Sequence, residues 1–100
     1  SINEKNATVI FREIYESIRQ LGDAQFWILG YEPLDHSISL DSLKDLNIKD
    51  KVKLNYLDRF KQIRHDANYR GFNVSASHAK EILDFWNVCS HEIIDFLLKK

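Results

Sequence analysis

The stretch IRHDANYRGFNVSASHAKEI, residues 63–82, contains a helix stop and a helix start a few residues apart. Apolar side chains run up to it at helical spacing, as Val52, Tyr56, Leu57, Phe60, Ile63 and Ala67, so residues 50–70 read as an amphipathic helix. Gly71 then stands where a left-handed residue closes a helix. "FNVS" is a short extended link. Ser75 reads as an N-cap, with Val74 before it and Ala79 placed for a hydrophobic staple. The period resumes at once and predicts a last helix over residues 75–98. Ala79, Ile82, Leu83, Trp86, Cys89, Ile93 and Leu97 make its main stripe, and Phe85, Ile94, Phe96 and Leu98 widen it. Two long helices joined by so short a link pack as antiparallel neighbours.

The N-terminal side repeats the pattern. Ala7, Ile10, Phe11, Ile14, Ile18, Leu21, Ile28 and Leu29 predict a helix over residues 3–29, with Asn3 or Asn6 as its cap. Gly22 lies inside it, to kink it or to admit a close neighbour. Gly30 and Pro33 stop it. Its second half, "AQFWILGY", is apolar nearly all round and needs cover on more than one side. A loop follows, then a short helix over residues 37–46. Asp35 or Ser37 caps it, and Ile38, Leu40, Leu43 and Leu46 face inward. Nothing reads as a strand, repeat, linker or low-complexity tract. The expected fold is all-α, an antiparallel up-and-down helical bundle of three long helices plus one short, in a single domain over residues 1–100.

Composition sets the class. Apolar residues are 44% and charged residues 29% of the 100, an ordinary soluble balance. The single cysteine, Cys89, excludes an internal disulfide and points to a reducing, cytoplasmic setting. No apolar run approaches the ~20 residues of a membrane span, and no signal peptide is legible. The net charge of −1 argues against a general polyanion binder. Residues 51–72 are locally basic, with Lys51, Lys53, Arg59, Lys61, Arg64 and Arg70 against Asp58 and Asp66.

Within that basic segment Arg64 is the informative residue. It follows Phe60 by four and Leu57 by seven, so it projects from the apolar face or its edge. A guanidinium there needs a partner. Asn68 lies one turn on along the same face, and His65 and Tyr69 form a second pair about 100° round the helix. The expectation is an Arg64 at least half buried and bonded to a carboxylate, a backbone carbonyl or a second subunit.

At these residues the chain resembles the HEPN superfamily of helical-bundle domains. The matching segments are "REIYESIRQLGDAQFWILGYEPLDHS", "FKQIRHDANYRG" and "VSASHAKEILDFW", and their order and spacing extend over most of residues 10–98. Full members carry a further long helix before the first one here. That difference, with a chain that begins at Ser1 and contains no Met, implies a trimmed or divergent domain. Active members are metal-independent ribonucleases with an Arg, a polar residue, a spacer and a His. The Arg stabilises charge on the phosphate and the His moves a proton. Carried over, Arg64 matches the Arg and His65 the polar position. Tyr69 stands near the position of the family's His, with Asn68 before it. An amide does not titrate, and a phenol has a pKa of about 10, so the proton shuttle is missing. His65 replaces it only if a second subunit brings its own copy close.

The resemblance thus implies a non-catalytic module for dimerisation and for nucleotide, RNA or partner-protein binding. A nucleotidyltransferase is the partner type the family suggests. The candidate ligand or phosphate contacts are Arg64, Asn68 and Arg70. The candidate catalytic residues, for an altered ribonuclease, are Arg64, His65 and Tyr69. A purely structural bundle is the third reading. His36 reads as part of a helix start more than as a site residue. His78 and His91 lack metal-ligand spacing, Cys89 has no zinc-like neighbour, and no metal or cofactor is expected. Trp27 and Trp86 read as core or interface anchors. The apolar surface at "FWILGY" and on the last helix predicts a two-fold homodimer that brings two Arg64 motifs towards one groove.

Overall fold

The first helix is held back by its own asparagines. Asn3 Oδ1 accepts from the backbone N–H of Lys5 (2.8 Å) and of Asn6 (3.1 Å), while Asn3 N–H donates to Asn6 Oδ1 (2.8 Å). These local bonds compete with helix, so α1 spans Ala7–Ile28 and begins four residues later than the periodicity predicts. The computed structural model describes residues 1–99, apart from the side chains of His36 and Ser37. All its regular elements are helical: α1, α2 (His36–Asp41), a 3-10 turn over Lys51–Asn55, α3 (Tyr56–Tyr69) and α4 (Ala76–Leu98). Among the described residues there is no strand.

Both glycine stops act as the sequence indicates. Gly30 has φ +86° and Gly71 has φ +69°, a region in which side chains with a Cβ are strained. After α1, Gly30 N–H donates to Trp27 O (3.0 Å) and Tyr31 N–H to Phe26 O (2.8 Å), the paired bonds of a Schellman closure. The two N-caps are Asp35, whose carboxylate accepts from Ile38 N–H (3.0 Å), and Ser75, whose Oγ accepts from His78 N–H (3.1 Å).

The short helix ends at Asp41, five residues before the sequence expectation. Ser42 Oγ donates to Ser39 O (2.7 Å), and the chain continues in isolated turns that still bury Leu43 and Leu46. The third helix is preceded by a 3-10 turn. There Asp50 N–H is held by Glu92 Oε2 of α4 (3.1 Å), and Leu54 is already buried.

Packing follows from these elements. The starts of α1 and α4 lie side by side: Glu4 Oε1 accepts from Ala76 N–H and Thr8 Oγ1 from Val74 N–H, each at 3.1 Å. The two helices make the most extensive contact in the molecule. α3 meets α4 through side chains, with Arg59 on Glu81 and Phe60 edge-on to Phe85 (5.4 Å), and Asp50 is held by Glu92. Phe11 of α1 meets Phe60 edge-on at 6.2 Å, so the three long helices share one core with Ile18, Leu57, Ile82 and Cys89. α2 crosses α1 at Gly22. A Cβ there would stand 2.0 Å from the Ser39 carbonyl oxygen, so only glycine admits this backbone-to-backbone approach. Ser39 Oγ donates to Asp23, which also receives Arg19 (2.8 Å), and Gln25 Nε2 donates to Ser42 O (3.3 Å).

Candidate functional site

Arg64 is partly buried on the flank of α3 that faces α1. Its Nη1 donates to the side-chain oxygen of Asn68, one turn on. Within the chain the partner is therefore an amide of its own helix, not the carboxylate or backbone carbonyl expected. The other two cations of α3 are neutralised from neighbouring helices. Arg59 makes two bonds to Glu81 of α4 (2.9 and 3.2 Å), and Lys61 bonds both oxygens of Asp41 of α2 (2.9 and 3.0 Å). Among the described residues, no carboxylate lies within 4.0 Å of Arg64.

Across from Arg64 stands Tyr15 of α1, 9% exposed, with its ring stacked on Phe11 at 6.2 Å. Burial, and after it Glu16, raises the phenol above its ordinary pKa, whereas Arg64 and Arg19 draw it down and Asp41 adds to the rise. The guanidinium is thus within electrostatic reach of the phenol, and Tyr15 of α1, Asp41 of α2 and Lys61, Arg64 and Asn68 of α3 make one polar cluster between the three helices, the Arg64 notch. Helical spacing alone puts Arg64 and Asn68 on one face of α3, and Tyr15 comes to them from α1. The available signal was a phenol four residues after Phe11 and three before Ile18, on the buried stripe of α1.

The remaining candidates are elsewhere. His65 and Tyr69 are exposed and contact each other, with ring centroids 4.7 Å apart, on the next flank of α3. His65 borders a shallow groove with Asp58, Lys61 and Gln62. Arg70, two residues past Asn68, is exposed and points to Asp66, with Nε 3.9 Å from Oδ1. At 100° per residue it is directed well away from Arg64, and the two cations do not converge on one point. The side chain of His36 lies outside the described residues. Trp86 packs against the core, whereas Trp27 is 65% exposed and is no core anchor. Among the described residues, no three His, Cys, Asp or Glu side chains form a group able to hold a metal ion.

Compared with family models, with curated proteins and with solved structures, the chain matches none. Among the described residues no helix is long and apolar enough to cross a membrane.

Proposed function

We propose that this chain is a HEPN-like helical module without catalytic turnover. In this reading it homodimerises and holds a phosphate-bearing ligand, a nucleotide or RNA, at the notch around Arg64. The antiparallel up-and-down arrangement of three long helices plus one short belongs to the same reading, as do a cytoplasmic setting and a nucleotidyltransferase-type partner for the same surface.

The observation that carries the proposal is the charge on Arg64. Arg59 and Lys61 are paired with carboxylates within the chain, while Arg64, among the described residues, has an amide partner, no carboxylate and N–H donors to spare in a partly buried setting. Such a guanidinium donates to two phosphate oxygens side by side. Asn68 fixes its orientation, and Tyr15 supplies a phenol across the notch. Turnover lacks support because, among the described residues, the imidazole next to Arg64 is that of His65, directed to another flank and resting on Tyr69. The altered-ribonuclease reading survives only through that His65–Tyr69 pair.

The test is fluorescence anisotropy with a labelled mixed-sequence RNA, in EDTA. Binding that weakens with salt and is lost in Arg64→Ala, with the RNA intact, is the expected result. Equal binding by wild type and Arg64→Ala removes the notch from consideration. Cleavage abolished by Arg64→Ala refutes the non-catalytic reading and makes His65 and Tyr69 the next substitutions.

A further inference from the structure

Five exposed apolar side chains stand together in sequence at the end of α1 and in the loop that follows. Trp27 is 65%, Ile28 46%, Leu29 53%, Tyr31 68% and Leu34 91% exposed. At roughly 150–250 Å² for an aromatic side chain and somewhat less for an aliphatic one, these fractions leave on the order of 500–600 Å² of apolar surface in water. That is the upper end of what a monomer leaves bare. α1 and α4 start together, are of nearly equal length and pack along each other, so α4 also ends here, where Leu98 is 77% exposed.

We infer that this end of the molecule is the homodimer interface: a second copy docks on it about a two-fold axis. The inference rests on the homodimer of the proposed function and departs from it in geometry. Two such patches face to face remove somewhat more than 1,000 Å², the lower bound for a specific interface. Residues 27–34 contain one charged side chain, Glu32, which is exposed. Lys99 is exposed at the end of α4. A two-fold axis sets the acidic edge of one copy against the basic edge of the other, which a single copy leaves unused.

The arrangement has a consequence for the notch. Arg64 acts on Tyr15, and Trp27 lies twelve residues further along α1, about 18 Å at the helical rise. Across a dimer built on the Trp27 end the two notches are therefore roughly 35 Å apart. They do not form one groove, and each copy binds its own ligand.

Sedimentation velocity on the full chain tests this, with Leu34→Glu, Trp27→Asp and Arg64→Glu beside wild type. Leu34 makes so little contact within its own copy that Leu34→Glu keeps the fold, which far-UV circular dichroism verifies. The expected result is a dimer for wild type and Arg64→Glu, with dissociation raised by about thirty-fold or more in Leu34→Glu and Trp27→Asp. A dimer that survives Leu34→Glu and Trp27→Asp but is lost in Arg64→Glu overturns the inference and leaves the homodimer standing at the notch. A wild-type monomer overturns both.

Discussion

Replacing Gly22 with alanine sets helix propensity against packing, and the geometry decides the sign. In an exposed helix the change would stabilise by about 1 kcal/mol. Here the new methyl would meet Ser39 O at 2.0 Å, Ser39 C at 2.4 Å and Ser39 Cα at 3.1 Å. All three are backbone atoms, so no rotamer change relieves the clash. Ordinary contact begins at 3.4 Å, so α2 must retreat by about 1.4 Å. Overpacking of this kind costs about 1–3 kcal/mol. The retreat also stretches the bonds from Ser39 to Asp23 and from Gln25 to Ser42, at about 1 kcal/mol each. Net of propensity, Gly22→Ala should destabilise by about 3 kcal/mol. For a chain of this size that is a fall of about 15 °C in Tm. Urea titration followed by circular dichroism gives the free energy, and hydrogen exchange should localise the loosening to residues 36–46. A midpoint equal to or above wild type would refute the crossing of α2 over Gly22.

Ser75→Ala removes the cap of α4 and should cost about 1 kcal/mol in the same titration, since His78 N–H loses its acceptor; an unchanged midpoint would show that water replaces it fully. Thr8→Val removes the acceptor of Val74 N–H and should cost a similar ~1 kcal/mol, measurable as faster exchange of that amide. Cys89 is fully buried, and burial, with Glu92 next, pushes its thiol from near 9 up to about 11. Below pH 9 the thiol is neutral folded or unfolded. From there to about 11 only the unfolded chain releases the proton, so stability falls as pH rises through this window. Urea midpoints across that range should fall more steeply for wild type than for Cys89→Ala, and parallel curves would show that the thiol ionises equally in both states.

Much of the fold was legible because its signals are local. Gly30 and Gly71 stop helices through their own backbone angles, Ser75 caps through its own hydroxyl, and a glycine inside an apolar run marked the site of a close neighbour. The departures arise from competition that periodicity does not register. Asn3 and Asn6 bond the backbone that α1 would have used, Ser42 does the same at the end of α2, and Glu92, 42 residues away, holds Asp50 at the start of the 3-10 turn. The notch was half legible. Spacing puts Arg64 and Asn68 on one face, but Tyr15 and Asp41 join them only through packing between helices, and Arg70, six residues after Arg64, projects from another flank at 100° per residue.

The shared start of α1 and α4 also decides what can be attached to this protein. A strand of chain leaving Ala7 and one leaving Leu98 emerge at opposite ends, about 34 Å apart by the length of α4. Joining those points covalently would take a linker of at least ten extended residues, so closing the chain into a ring or permuting it demands a long insertion. Cargo attached on the Ala7 side and cargo attached on the Leu98 side therefore stand at opposite ends of α4 and do not crowd one another.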